Sequence, residues 1–363
     1  MIFDEVKKNF GFGCMRLKIN DDKVDYDEFS RMVDTFIDAG FNYFDTAHGY
    51  IDGKSETAIR DCLAKRHKRE DFLLANKLSI WYVDTEDDVL PYFENQLKLC
   101  GVDYFDFYLF HSLNRENYPK YKQCNAFEII KNLKKQGKIR HIALSFHDTA
   151  DVLDMILSEQ PSIEAVQLQI NYLDYDNPDV QSKACYDVAV KHGKKVIVME
   201  PVKGGALVNL PQKAADVLDS LNGGSHASYA IRYAASFPEV FMVLSGMGNM
   251  DMLNENISYM SDFVPLSQTE QETLSNVREI IREVEQIQCT KCNYCGEVCP
   301  NNIPISELFS VYNEFLSAKA TRAQTKERLP QYADCIECGK CEKICPQNIK
   351  IRDYLKKIDK IRK

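Results

Sequence analysis

Eight cysteines in the last quarter of the 363-residue chain have the types and spacing to hold inorganic iron–sulfur. Cys289, Cys292, Cys295 and Cys299 precede Pro300, and Cys335, Cys338, Cys341 and Cys345 precede Pro346, each 46 residues after its counterpart. The spacing C-x2-C-x2-C-x3-C-P lets three thiolates wrap three corners of one [4Fe–4S] cubane while the fourth reaches a second cubane. We therefore expect Cys289, Cys292, Cys295 and Cys345 around one cluster, and Cys335, Cys338, Cys341 and Cys299 around the other. Zinc sites need only two C-x2-C pairs, so a third cysteine in register twice over argues against zinc. Disulfides would call for export, and the first ten residues, with Asp4, Glu5, Lys7 and Lys8, offer no apolar core for a signal. The other five cysteines, Cys14, Cys62, Cys100, Cys124 and Cys185, lack ligand spacing and read as ordinary thiols.

Composition sets the surroundings of these groups. The chain is 45% hydrophobic and 27% charged with a net charge of −9, which suits a large core and disfavours nucleic acid as a partner. No apolar run approaches the ~18 residues that cross a bilayer, so no membrane is expected and a cytoplasmic location is. From Pro300 onward 13 Lys and Arg stand against 8 Asp and Glu. That surplus offsets the negative clusters or, alternatively, meets an acidic electron carrier such as a ferredoxin.

The elements that must position a site lie upstream. Apolar runs at Asn9–Gly13, Phe41–Thr46, Phe72–Lys77, Phe105–Phe110, His141–Ser145, Ala165–Gln169, Lys195–Met199 and Met242–Gly246 each precede a helical pattern. Eight strand–helix units favour an α/β fold, a closed (β/α)8 TIM barrel, over an open doubly wound sheet. Gly11-Phe12-Gly13-Cys14-Met15-Arg16 lacks the third glycine of a dinucleotide fingerprint. The expected domains are the barrel over 1–262, a connecting helix over 263–288 and a mainly helical, ferredoxin-like dicluster domain over 289–363. One helical stretch is expected between the ladders, over Ile305–Arg328.

In such a barrel the chemistry sits at the carboxyl ends of strands. Asp45, Tyr50, Lys77 and His111 occupy those positions on or just after strands two, three and four. Any one alone reads as a strand-end residue bonding to its loop. Together they make a proton donor: a lysine ammonium favours the phenolate of a nearby tyrosine, an aspartate aims the lysine, and a histidine orients a substrate oxygen. His48 and His147 share the same face. Trp81 follows Lys77 at the position of an aromatic pocket wall.

With these residues in place, the barrel resembles the aldo-keto reductases over about Lys8 to Tyr259, through GFGCMRL, GFNYFDTAHGY, ANKL, GVDYFDFYLFHS, RHIALSFHD and SGMGNMDMLNEN. SFHD, MEPVKGG and the ladders are similar to the iron–sulfur branch of that family. The resemblance implies that Tyr50 is the general acid, supported by Lys77 and Asp45, with His111 orienting the carbonyl. It also implies a nicotinamide cofactor, with Ser145 and Gln167 bonding its carboxamide, Met199 where many members stack a tyrosine on the nicotinamide, Gly13 among the other contacts, and Gly246, Met247, Glu255 and Asn256 lining the adenosine end. The run SGMGNMDML has no basic residue for the 2′-phosphate of NADP. NADP and NAD both stay open, with Lys203 or Arg232 as possible substitutes.

Hydride carries two electrons and each cubane passes one, so a flavin is a possible intermediary. Three functions follow. The first is reduction of a small-molecule carbonyl with nicotinamide hydride, the clusters being structural, sensing or electron-relaying. The second is an oxidoreductase fed through the clusters by a ferredoxin, a flavin or another carrier. The third is a nicotinamide-binding redox sensor without turnover.

Overall fold

The computed structural model describes residues 3–283, 286–316, 320–330 and 332–362. Eight parallel strands close into a barrel: β1 (Phe10–Gly13), β4 (Tyr43–Asp45), β5 (Leu73–Leu78), β6 (Phe105–Leu113), β7 (Ile139–Phe146), β8 (Ala165–Gln169), β9 (Lys195–Met199) and β10 (Val240–Gly246). The two-residue strands β2 (Ile19–Asn20) and β3 (Lys23–Val24) form a hairpin beside them. Its turn residues Asp21 and Asp22 are both left-handed, the conformation a tight hairpin turn requires. Successive side chains on a strand alternate between faces. One face of each barrel strand therefore fills the interior, where Tyr43, Ala75, Phe107, Leu109, Ala143, Ala165 and Ile197 form a buried cluster plugged by Phe3. Continued along the same face toward the carboxyl end, the alternation reaches Asp45, Lys77, His111, Ser145 and Gln167. Polar residues thus follow apolar ones on the interior face, and the site is built on the rigid strands themselves.

The outer helices of the barrel are α1 (Tyr26–Asp38), α2 (Lys54–Ile59), α3 (Glu86–Cys100), α4 (Tyr118–Gln123), α5 (Ala126–Lys135), α6 (Ala150–Glu159) and α7 (Ser182–Lys191). After α8 (Gln212–Asp219) come α9 (His226–Ala235) and α10 (Met250–Met260). Sequence reading assigned one helix per strand and so passed over α4 and α8. The chain divides into two compact units. The first holds the residues up to Asn177, Gln181–Pro201 and Ser228–Leu266, and the second holds Pro178–Val180, Val202–Ala227 and the residues from Ser267 onward. The excursion Val202–Ala227, which the strand count placed in the barrel, therefore packs with the cysteine-bearing unit. There α8 lies against α11 (Gln268–Arg282), and Gly204 meets Thr290 so closely that a Cβ would lie 2.2 Å from its carbonyl oxygen. Only glycine fits there, at φ +60°.

The remaining helices of the second unit are α12 (Tyr294–Glu297), α13 (Ile305–Leu316), α14 (Arg322–Arg328), α15 (Lys340–Lys343) and α16 (Ile351–Arg362). Ile303, Ile305, Leu308, Phe309, Leu355 and Ile358 lie in their shared core. The single stretch expected over Ile305–Arg328 is two helices, the second opened by a Thr321–Gln324 capping box; positions 317–319 lie outside the described residues. The connecting helix ends at Arg282, and positions 284 and 285 of its expected span are likewise outside them.

Candidate functional site

At the carboxyl rim of the barrel, the Lys77 Nζ lies 2.7 Å from Asp45 Oδ1 and donates to the Thr46 carbonyl at 2.8 Å. Both side chains are buried, so the pair forms in low dielectric and each charge depends on the other. Burial pushes the Asp45 carboxyl up and the Lys77 ammonium down, and their mutual attraction opposes both shifts. The same ammonium sits 4.7 Å from the centre of the Tyr50 ring, over its face. Tyr50 and His111 rings meet edge to face with centres 6.2 Å apart. His111 is held from two sides: its Nδ1 is 2.6 Å from Ser79 Oγ, and its carbonyl accepts from the Tyr121 hydroxyl at 2.8 Å. The structure thus brings Asp45, Tyr50, Lys77 and His111 together.

Their electrostatics differ from the sequence expectation in one respect. The lysine was expected to acidify Tyr50, yet the phenol lies well above its ordinary range. Burial is the main cause, followed by the charges of Asp45 and Glu200. The ammonium is committed to Asp45 and the ring face, so its field does not overcome desolvation. Tyr50 therefore keeps its proton at neutral pH. Burial and then the Lys77 charge hold His111 well below its usual range, so the imidazole is neutral. Desolvation likewise lowers His147, which is half-buried, to about 4. The Trp81 ring meets that of His111 at a tilt of 43°, centres 4.8 Å apart, and Trp81 is 39% exposed, so it borders the site instead of filling the core.

The residues expected to hold a nicotinamide nucleotide occupy the ends of other barrel strands. Ser145 Oγ accepts from the Ser112 amide at 2.6 Å. Gln167 is 1% exposed, and among the described residues its Oε1 has no hydrogen-bond partner, an orphan buried acceptor. Met199 ends β9, Gly13 pairs with Gly246 across β1 and β10, and Met247 is buried just beyond. Asn256 donates to Ser245 Oγ at 3.1 Å and accepts from the Tyr259 hydroxyl. Glu255 lies exposed on α10. Of the proposed substitute cations, Lys203 is buried with its Nζ 3.4 Å from Gln347 Oε1, and Arg232 Nε donates to the Val264 carbonyl at 2.9 Å. Sequence reading missed Arg16. Its stem packs on Gly246 so closely that a Cβ there would lie 2.6 Å from Arg16 Cγ. Its position three residues beyond β1, beside the last strand of a closed barrel, was the available signal.

In the second unit the two ladders repeat in three dimensions as well as in sequence. Lys291 and Glu337, Asn293 and Gly339, and Asn302 and Asn348 are all left-handed, each pair 46 positions apart. The Lys291 amide reaches Cys289 Sγ at 3.4 Å, and the Glu337 amide reaches Cys335 Sγ at 3.4 Å. Cys299, Cys335, Cys338 and Cys341 together line a cavity of about 320 Å³, counted with its open mouth. The fourth cysteine of the first ladder thus faces the first three of the second, as a shared pair of cubanes requires. Burial, and then Cys292, Cys289 and Cys345 with a weaker share from Cys341, push the Cys295 thiol up, which puts the other set within electrostatic reach of one another. Among the described residues no three His, Cys, Asp or Glu side chains close on one point as a single metal ion requires. None of the described cysteines is joined in a disulfide. Of the basic tail, Arg352, Lys356 and Arg362 pair with Glu342, Glu337 and Asp334. Lys363 lies outside the described residues.

Comparison with known proteins agrees with this geometry. The model of the aldo/keto reductase family matches residues 9–279, and that of the 4Fe-4S dicluster domain matches residues 288–349. The oxidoreductase YqkF of Bacillus subtilis is 23% identical over 280 residues, covering 68% of this chain and 85% of its own. L-galactose dehydrogenase of Arabidopsis thaliana is 23% identical over 295 residues, 76% of this chain and 91% of its own. Among solved structures, an aldo-keto reductase of Klebsiella pneumoniae in complex with NADPH superposes with a TM-score of 0.62 at 18% identity, over 74% of this chain and 90% of its own. No described helix is long and apolar enough to cross a membrane. The chain belongs to the aldo/keto reductase family and carries a 4Fe-4S dicluster domain after its barrel.

Proposed function

We propose that the barrel reduces an aldehyde or ketone with hydride from a nicotinamide nucleotide, and that Tyr50 supplies the proton. The observation that carries this reading is the convergence of Lys77, 2.7 Å from Asp45 and 4.7 Å from the Tyr50 ring, with the His111 ring edge to face with Tyr50, centres 6.2 Å apart. A nicotinamide, when bound, supplies the hydride. The orphan Gln167 Oε1 would accept from its carboxamide, and the Ser145 hydroxyl retains a proton to donate. Arg16, against Gly246, gives the nucleotide loop a cation that SGMGNMDML lacks.

The protein side of the reaction is proton handling. His111 is neutral and oriented by Ser79, so its ring hydrogen-bonds the substrate oxygen without carrying charge into the pocket. Tyr50 enters with its proton in place and becomes an adequate donor as negative charge grows on the carbonyl oxygen. The Lys77 ammonium beneath the ring then stabilises the phenolate that remains. No flavin is needed for this half-reaction.

Exposure of Cys338, while Cys295 and Cys341 are buried, favours a second reading in which an electron carrier such as a ferredoxin feeds the clusters. Anaerobic assays of carbonyl reduction with NADPH and NADH separate the two. Retained turnover in Cys338→Ser supports the first reading. Turnover with reduced ferredoxin or dithionite but with neither nucleotide would replace it by the second.

A further inference from the structure

The carboxylate of Glu56 is fully buried although none of the four residues above touches it. Its Oε1 accepts from Asn76 Nδ2 at 2.8 Å and Gln96 Nε2 at 3.1 Å, and its Oε2 lies 2.7 Å from His48 Nδ1. The amides that serve it also grip Lys77 by its backbone. Asn76 Oδ1 accepts from the Lys77 amide at 2.8 Å, and Gln96 Nε2 reaches the Lys77 carbonyl at 3.1 Å. Gln96 Oε1 in turn accepts from the Tyr108 hydroxyl at 2.5 Å, on the strand that carries His111. One buried charge therefore joins β5, α3 and β6 to His48, which stands two residues before Tyr50.

The loop that carries Tyr50 needs such a hold. Ile51, Asp52 and Gly53 are all left-handed, and a β-branched residue in that region is strained. A buried carboxylate also needs a cation. Around His48 the facing titratable groups are Glu56 and the phenol rings of Tyr82 and Tyr92, centred 5.1 and 5.3 Å away, so the imidazolium is the countercharge within reach of Glu56.

We propose that His48 and Glu56 form a positioning pair that holds the Tyr50 loop against the strand of Lys77, and that loss of the His48 proton loosens Tyr50. This rests on the assignment of Tyr50 as proton donor. Hydrogen bonding to Glu56 raises the His48 imidazole above its ordinary range. The pair is therefore charged at lower pH and loses its charge as pH rises through that elevated value, so kcat falls on the alkaline side.

The test uses the full, iron-loaded chain under anaerobic conditions. We expect kcat in His48→Gln to lose this alkaline limb and to sit about tenfold below wild type at pH 6, with the nucleotide KM within about twofold, as for a misplaced reacting group. In Glu56→Gln, an isosteric change, the limb moves to lower pH. An unchanged limb in both variants overturns the proposal, as does a uniform loss with KM and kcat moving together. A second readout needs no turnover: the 13C-labelled Tyr50 ring signal should follow the His48 titration in wild type and move with it to lower pH in Glu56→Gln, and a Tyr50 signal blind to that titration overturns the pairing. Full activity in Tyr50→Phe would instead defeat the proton-donor assignment, leaving the His48 titration itself to be judged by the ring signal.

Discussion

The barrel rim and the cysteine ladders place chemically active side chains by opposite means. At the rim, Asp45, Lys77 and His111 extend from strands whose preceding interior residues are packed apolar side chains, and their partners are already within hydrogen-bond distance. In the ladders Cys295 and Cys341 sit on the short helices α12 and α15, the other thiols hang from loops in which left-handed residues recur, and four of the eight line a cavity. Packing preorganises the first site. The second is shaped by loops and completed by inorganic sulfide and iron, whose binding energy contributes to folding.

The sharpest test of that contrast is Tyr50→Phe. Removing one hydroxyl from a preformed site should lower kcat by about 10²–10⁴-fold with little change in nucleotide affinity, measured by fluorescence titration. Next in size is Asp45→Asn. It leaves the Lys77 ammonium buried without its anion, and we expect a loss of about 3–5 kcal/mol in urea unfolding together with loss of turnover. In the other region, Cys299→Ser and Cys345→Ser should each reduce bound iron from about eight toward about four per chain while the far-ultraviolet signal of the barrel persists. Equal damage to both regions would remove the distinction.

The smallest effect lies at the foot of the barrel. Burial would raise the Glu164 carboxyl, but His141, Lys134 and the Ile142 amide overcome it and hold it at about 2. A depressed carboxylate stabilises the fold above its unfolded value of about 4.3, and that contribution drains away as pH falls toward about 2. Because the group is partly exposed, Glu164→Gln should cost only about 1–2 kcal/mol at pH 7, with the gap narrowing at pH 3.

Much of this was legible in residue order. The strands Ala165–Gln169 and Lys195–Met199 match to the residue, because short apolar runs bounded by polar turns leave little choice of register. The grouping of Cys299 with Cys335, Cys338 and Cys341 around one cavity follows from a spacing that limits what one loop can reach. Glu56 was not: GKSETA reads as the polar first turn of a helix, and nothing local shows that its carboxylate points inward to Asn76 and Gln96. The acidity of Tyr50 was misjudged for a related reason. Sequence showed that a lysine would be near, but not that Asp45 and the ring face would hold its charge. The helix α8 was missed because one helix per strand was assumed. The Thr321–Gln324 box, by contrast, carried a start signal in TRAQ that could have been used.

The facing of Cys299 toward Cys335, Cys338 and Cys341 has a consequence for biosynthesis. If each repeat lends its last thiolate to the other, a nascent polypeptide can finish neither cofactor until the second repeat has left the ribosome. A chain cut short before Cys345 would then lack the last ligand of one centre, and one cut short before Cys335 would close neither.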